Sequence, residues 1–170
     1  MNSKNTLTQP NQAIKTVNEQ AFKAAMSQFV TGITIVTTCD QHNNPMGLTV
    51  NSFNSVSLSP PLVLWSLNKQ SKKLDTFMKA DYFGISVLAA DQEHLSRHFS
   101  QHHENAFENI EIMIESQGIP LISNALAYFI CKTRNRYDEG DHLILIGEVQ
   151  FCSSTEGQAL AYRARKYHQI

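Results

Sequence analysis

The sequence predicts a mainly β domain in which an antiparallel barrel carries a few short helices. Apolar and small polar residues alternate with period two along residues 47–61, which is typical of a β-strand. Further runs are rich in Val, Ile and Thr, and polar turns containing Gly, Asn, Asp or Pro separate several of them. We therefore expect six or seven strands with hairpin-like links, in one domain without internal repeats.

The N-terminal half is predicted to hold one helix and three strands. Phe22, Met26 and Phe29 recur at helical spacing, and Asn18 is placed to cap that helix. Two strands joined by a polar turn form a predicted hairpin, and Pro60 and Pro61 end the second one because proline cannot donate to a ladder. The predicted elements are a helix at 18–29, strands at 31–39 and 47–61 around a turn at 40–45, and a strand at 62–67.

The C-terminal half is predicted to alternate helices and strands. Asp91 is placed as the N-cap of a helix, and Gly140 lies in a turn that favours a positive φ. The predicted elements are helices at 72–80 and 91–100, strands at 82–89, 126–136 and 142–153, a short strand at 110–114, and a helix at 158–167.

The composition excludes several classes of protein. The 170 residues include 14 Lys and Arg and 15 Asp and Glu, giving a net charge of −1, which argues against nucleic acid or an anionic membrane as partner. No apolar run approaches the roughly 18 residues that span a bilayer. Residues 1–17 are polar and are predicted to form a flexible arm before a domain at 18–170, with no signal-peptide pattern. Cys39, Cys131 and Cys152 form no C-x-x-C pair, which favours buried thiols and a cytoplasmic location.

The polar face of the strand predicted at 47–61 is a candidate binding surface. It contains no charged residue, and it offers the short side chains of Thr49, Asn51, Ser55 and Ser57. Such groups can hydrogen-bond a polar ligand at close range with little loss of side-chain entropy. A strand that merely faces solvent is the alternative, and the strand alone does not separate the two.

Two turns add candidates. His142 follows Gly140 and Asp141 at a turn between two strands, where a barrel rim could meet a ligand; a solvent-exposed turn histidine is the alternative. The turn at 66–73 carries hydroxyls, an amide and lysines before a predicted helix, which suits a phosphate; an ordinary helix start with solvated lysines is the alternative.

Other chemistry finds little support. His94, His98 and His102 recur every four residues with His103 beside them, but no Cys or carboxylate completes a metal site at a recognised spacing, so a solvated helix face is favoured and no metal is expected. There is no Gly-x-Ser-x-Gly, Gly-x-Gly-x-x-Gly or P-loop pattern.

Taken in order, these segments resemble the flavin reductase-like family, the small reductases of two-component monooxygenases. The resemblance covers about residues 21–167. It rests on the ordered segments FVTGITIVTT (29–38), GLTVNSFNSVSLSPP (47–61), FGISVL (83–88), LSRHF (95–99), GDH (140–142) and GEV (147–149).

The resemblance implies a six-stranded antiparallel split β-barrel of the FMN-binding type, and an NAD(P)H:flavin oxidoreductase. Hydride would pass from NADH or NADPH to FMN or FAD, and the reduced flavin would serve a separate flavin-dependent monooxygenase. Family members are homodimers. The implied flavin-binding residues are Thr31, Thr49, Val50, Asn51, Ser52, Ser55, Val56, Ser57, Ser66, Asn68, Ser71, Lys72 and Phe99. His142 is the implied catalytic residue and contacts the nicotinamide, with Arg163 and Tyr167 assisting.

Two other members of the same barrel class remain as alternatives. One is a flavin- or haem-binding protein without turnover. The other is an enzyme like pyridoxine-phosphate oxidase, which the small number of arginines disfavours. The ending YRARKYHQI (162–170) is poorer in Arg and Gly than is usual in the flavin reductase-like family, which bears on the roles of Arg163 and Tyr167.

Overall fold

The computed structural model describes residues 17–101, 103 and 105–170. The predicted N-terminal arm therefore lies outside the described residues, apart from Val17. The helices are α1 (Glu19–Met26), α2 (Leu74–Lys79) and α3 (Glu93–Ser100), with short 3-10 helices at Ala90–Gln92 and Ser116–Gly118. The strands are β1 (Thr31–Gly32), β2 (Thr34–Cys39), β3 (Pro45–Val50), β4 (Asn54–Leu58), β5 (Pro61–Asn68), β6 (Tyr82–Val87), β7 (Ile112–Ile114), β8 (Pro120–Ile122), β9 (Ala127–Glu139), β10 (His142–Ser154), β11 (Leu160–Arg163) and β12 (Lys166–Gln169).

The main sheet has seven antiparallel strands in the order β3-β2-β6-β9-β10-β5-β4. Its two edge strands, β3 and β4, follow one another in the chain, so residues 51–53 carry the backbone from one edge of the sheet to the other. Val50 and Asn54 are four residues apart and can be separated by at most roughly 14 Å, so the sheet must curl until its edges lie close together. Within the described residues no ladder joins β3 to β4, and the resulting barrel is split at this seam.

The strand predicted at 47–61 is thus two strands, β3 and β4, and the main sheet has seven strands. Its alternation continues through the crossing at 51–53, which is why the pattern did not reveal the break. The second strand is not half-buried either, since Val56 is 48% exposed and Leu58 is 93% exposed. The predicted hairpin is confirmed, because β2 pairs with β3.

The core has two main parts, which lie on opposite faces of β2. Val36 belongs to a cluster inside the barrel, where Trp65 meets Phe77 and Phe83 edge to face. The neighbouring Ile35 faces a second cluster, which packs against α3 through Leu95 and Phe99. Burial on both faces explains why β2 reads as a continuous β-branched run rather than an alternating one.

The C-terminal helix predicted at 158–167 is wrong. The segment forms β11 and β12, which make a three-stranded sheet with β1. Leu160 and Ala161 are buried in this sheet, so tertiary packing overrides the local helical preference of an Ala-containing segment. Ala164 and Arg165 form the turn between the two strands, with φ of 49° and 62°.

The other helices follow the prediction with small shifts. Asn18 caps α1 and accepts a hydrogen bond from the Ala21 amide at 2.7 Å. Asp91 is not an N-cap, because it lies inside the 3-10 turn that precedes α3. Gly140 has φ of 57°, as the turn required. No helix in the described part of the chain is long and apolar enough to cross a membrane.

Candidate functional site

A cavity of about 520 Å³ lies beside the seam of the barrel. Its walls come from the end of β3, the crossing at 51–53, the end of β5, the turn before α2, the end of α3 and the first residue of β10. The lining residues are Leu48, Thr49, Val50, Asn51, Ser52, Ser66, Leu67, Asn68, Gln70, Ser71, Lys72, Lys73, Phe99, Ser100, Gln101 and His142. This volume lies within the usual range for small-molecule sites.

Most of the predicted site residues meet in this cavity, although they are far apart in the chain. These are Thr49, Val50, Asn51, Ser52, Ser66, Asn68, Ser71, Lys72, Phe99 and His142. Since β3 is an edge strand of the sheet, one side of its backbone has no ladder partner among the described residues. Its peptide groups can therefore donate to and accept from a ligand, as the side chains can.

Two hydroxyl groups in the cavity wall also hold the wall together. The Thr49 hydroxyl donates to the Ser96 carbonyl oxygen at 2.6 Å and so ties β3 to α3. The Ser52 hydroxyl accepts from the Ser66 amide at 2.9 Å. Pairing between β4 and β5 ends at Leu64, so Ser52 supplies the partner that β4 no longer provides. These bonds position the crossing across the open edge of the sheet.

The turn between β5 and α2 is fixed to the turn that precedes His142. The Lys69 amide donates to the Asp141 carbonyl oxygen at 3.0 Å, and its ammonium group donates to the Gly140 carbonyl oxygen at 2.7 Å. Within the turn between β5 and α2, the Asn68 side chain accepts a hydrogen bond from the Gln70 amide at 2.8 Å. The predicted phosphate turn and the predicted catalytic histidine are therefore parts of one rigid rim.

His142 lies at this rim with its side chain 42% exposed. Its Nδ1 atom is 2.7 Å from a carboxylate oxygen of Asp141. A carboxylate can only accept, so Nδ1 carries the proton of this bond and Nε2 is left for a ligand. The same hydrogen bond, followed by the charge of His142, lowers the pKa of the Asp141 carboxyl.

Lys73 is a site residue that the sequence reasoning missed. It is 7% exposed, and its ammonium group donates to the Gly47 carbonyl oxygen on β3. Burial lowers its pKa from 10.5. The neighbouring Lys72, which was predicted instead, is exposed. Nothing in the local sequence distinguishes two adjacent lysines, because the choice depends on how the turn docks against β3.

Thr31 and Arg163 line a second cavity of about 550 Å³ instead of the first. The two cavities are neighbours, since Asn51 and Ser52 line both. The Thr31 hydroxyl oxygen is buried without a hydrogen-bond partner among the described residues. The Arg163 guanidinium donates to the side-chain oxygen of Gln28 at 2.9 Å.

The remaining predicted residues line neither cavity. Ser55, Val56 and Ser57 lie along β4, after the chain has crossed the seam. Tyr167 lies on β12, where its hydroxyl is 2.9 Å from the Ser96 hydroxyl and its ring lies under the Arg97 guanidinium at 4.8 Å. Tyr167 thus touches the helix that forms one wall of the first cavity.

Of the histidines predicted to share one helical face, the structure places His94 and His98 on α3. α3 ends at Ser100, and His102 lies outside the described residues. His98 bonds the Ala106 carbonyl oxygen through Nε2 at 2.7 Å and stacks on His103 with ring centroids 4.5 Å apart. No group of three or more metal-ligating side chains occurs among the residues that the structure describes.

The first cavity fits a flavin. Its wall combines apolar contacts from Leu48, Val50 and Phe99 with unpaired backbone groups of an edge strand, which suits a flat ring with a polar edge. Asn51 and Ser66 offer side chains that have no hydrogen bond within the described residues. Lysines lie at the turn before α2, where a phosphate would be compensated.

Comparison with known proteins agrees with this fit. The chain is 42% identical over 145 residues to the FMN reductase (NADH) SmoA of Agrobacterium fabrum, which covers 85% of the chain and 82% of SmoA. It is 38% identical over 143 residues to the reductase component of flavin-dependent trigonelline monooxygenase from Acinetobacter baylyi, covering 84% of the chain but only 46% of that protein. The chain thus spans about half the length of some relatives.

Solved structures give the same result. The NADH:FAD oxidoreductase SgcE6 of Streptomyces globisporus, in complex with NAD and FAD fragments, superposes with a TM-score of 0.85 at 32% identity, covering 92% of this chain and 96% of SgcE6. The sequence pattern of the flavin reductase like domain matches residues 26–170. The chain therefore belongs to the flavin reductase-like domain family.

Proposed function

We propose that this protein is an NAD(P)H:flavin oxidoreductase that supplies reduced flavin to a separate monooxygenase. The observation that carries the proposal is the cavity at the barrel seam, where most of the residues predicted to bind flavin converge with His142. Relatives named as NADH-dependent flavin reductases support it. FMN or FAD is the proposed flavin, and NADH or NADPH is the proposed reductant.

The proposed role of the cavity is to hold and orient the flavin. The backbone of residues 49–52 binds the polar edge of the ring, while Val50 and Phe99 contact its apolar part. Ser66, Asn68, Ser71 and Lys72 lie where they can bind the ribityl chain and phosphate. When bound, the flavin supplies the hydride-accepting chemistry, so the chain needs no acid–base pair of its own.

His142 is proposed to orient the nicotinamide. Its Nδ1 atom is engaged by Asp141, which orients the ring and leaves Nε2 free for a ligand. A hydrogen-bonding group at this place can position the carboxamide of a nicotinamide. This role is positional, consistent with a reaction that depends on placing two planar rings in contact.

The second cavity is proposed to receive another part of the dinucleotides. It adjoins the first through Asn51 and Ser52, and Arg163 can approach a phosphate there. The buried, unpaired Thr31 hydroxyl is available for the same ligand. Tyr167 is proposed to act indirectly, because it holds α3 through Ser96.

A flavin-binding protein without turnover is the competing function. It is tested by mixing the purified protein with NADH or NADPH and FMN or FAD in air and following nicotinamide absorbance. Sustained oxidation that requires both protein and flavin supports the reductase. If the protein binds flavin but oxidises neither nicotinamide, its function would instead be that of a flavin carrier or sensor. Heat-inactivated protein provides the background rate.

We also propose that the protein is a homodimer in the cytoplasm. Large apolar side chains are exposed on and after α1, including Phe22 at 57%, Met26 at 52% and Phe29 at 64%. Met26 and Phe29 line the second cavity with Asn54 at the start of β4, whose Leu58 is 93% exposed. Such a surface usually contacts another protein. Light scattering should give the mass of a dimer for the wild type, and a lower average mass at the same concentration for Phe29→Glu.

The cytoplasmic location is supported by the cysteines, because the three free thiols suit a reducing compartment.

A further inference from the structure

Lys73 stands out among the residues around the cavity because it is a buried cation. It is 7% exposed, whereas lysine is almost never buried without a partner. Its ammonium group reaches across the turn before α2 and donates to the Gly47 carbonyl oxygen on β3. The side chain therefore sits between two walls of the cavity that it lines.

The ammonium group has more donors than the surrounding protein uses. It carries three N–H bonds, and the Gly47 oxygen is its one acceptor among the described residues. No carboxylate in that part of the chain lies within ion-pair distance of Lys73. A buried charge without a counter-ion is costly, and burial lowers the pKa of this lysine accordingly.

The rest of the cavity wall makes the lysine more distinctive. Apart from Lys72, Lys73 and the imidazole of His142, the lining residues are uncharged. Lys72 is exposed, so water screens its charge and weakens its attraction for a ligand. A purely structural role for Lys73, pinning β3 to the turn, would use one donor and leave the charge uncompensated. A bound anion would use the remaining donors and compensate the charge.

We propose that Lys73 binds the phosphate of the flavin and makes the site select phosphorylated flavins over riboflavin. This inference rests on the proposed function. It assigns to Lys73 the recognition of the negative charge of the flavin phosphate. Lys72 contributes less, because its ammonium group is already solvated. The phosphate takes the two donors that Gly47 leaves free.

The test compares FMN with riboflavin, which lacks the phosphate. Dissociation constants for both are measured by flavin fluorescence with wild type, Lys73→Gln, Lys73→Arg and Lys72→Met. Lys79→Met on α2 serves as a control for the loss of an exposed charge. Lys73→Gln keeps a donor for the Gly47 oxygen, and Lys73→Arg keeps the charge. Riboflavin binding by each variant reports whether its cavity is intact.

We expect wild type to bind FMN about 10-fold or more tightly than riboflavin, as a charge-assisted hydrogen bond allows. Lys73→Gln should lose most of this preference by weakening FMN alone, while Lys73→Arg retains part of it. Lys72→Met should lose less than Lys73→Gln. The wild-type preference should persist at high salt, since ions screen a buried pair poorly.

Three results would overturn the inference. Lys73→Gln could weaken FMN and riboflavin equally, which would indicate a structural lysine, or the preference could depend on Lys72 instead. Wild type could also bind both flavins equally while oxidising NADH, in which case the reductase function would stand without this role for Lys73. A wild type that binds neither flavin and oxidises no nicotinamide would overturn both proposals.

Discussion

Replacing Ser52 with alanine should weaken flavin binding and also destabilise the fold. The Ser52 hydroxyl is the partner of the Ser66 amide at 2.9 Å, and it makes a longer contact of 3.4 Å with the Ser66 carbonyl oxygen. Ser66 lies beyond the last residue of β5 that pairs with β4. Without the hydroxyl, the Ser66 amide loses its protein partner at a half-buried position.

The magnitude follows from the bond that is lost. Leaving a partly buried donor unpaired costs about 1–2 kcal/mol, which lowers the melting temperature by about 2–8 °C in a protein of this size. The crossing at 51–53 also becomes less well positioned, and we expect FMN to bind about fivefold more weakly, a loss of about 1 kcal/mol.

The assay combines thermal unfolding with FMN titration on wild type, Ser52→Ala and Ser153→Ala. Ser153 is an exposed serine on β10, so its replacement controls for the loss of a hydroxyl. Unchanged stability and FMN affinity in Ser52→Ala would refute the view that this hydroxyl holds the crossing. The same view would be refuted if Ser153→Ala lost as much stability and FMN affinity as Ser52→Ala.

Three further substitutions test other parts of the account. Asn51→Ala should weaken FMN about fivefold without changing the melting temperature, since its exposed side chain has no hydrogen bond within the described residues; a fall in stability would contradict this. His142→Ala should raise KM for the nicotinamide several-fold while the flavin dissociation constant changes by less than about twofold, and the opposite split in steady-state kinetics and titration would show that His142 binds flavin. Gly147→Ala places a methyl group against the Phe83 ring and 2.8 Å from Cys131 Cβ, so unfolding by urea should show a loss of about 1–3 kcal/mol. Gly32→Ala, with no atom within 4 Å of the added carbon, should change stability far less, and equal losses would argue against the packing explanation.

Most of the strands could be predicted from the sequence because runs of β-branched residues and turn residues mark where they begin and end. The β-branched run of β2 and the Gly140 turn between β9 and β10 are examples in which local preference and tertiary structure agree. The break at 51–53 was not visible, because alternation continues on both sides of the crossing and only the closing of the sheet requires it. The C-terminal hairpin was missed for a related reason, since it pairs with β1, which lies about 130 residues earlier in the chain.

The site was predicted less completely than the fold. Thr49 and Asn51 were predicted as ligand contacts because an uncharged strand face is unusual, and the structure places both in the wall of the first cavity. The resemblance implied that Ser55 and Val56 continue the same contact, but they lie on β4 beyond the crossing and do not line the first cavity. Lys73 was missed because its burial depends on a contact with Gly47, 26 residues earlier in the chain.

The most direct test of the proposed function is the anaerobic reduction of FMN supplied in large excess over the protein. NADH, and separately NADPH, is added without oxygen, and the absorbance of oxidised flavin is followed. A reductase that releases its product should bleach the whole flavin pool through many turnovers, with at least one of the two nicotinamides. Bleaching of no more than one flavin per protein chain would contradict release to a partner. No bleaching with either nicotinamide, in a protein that binds FMN, would contradict the reductase itself.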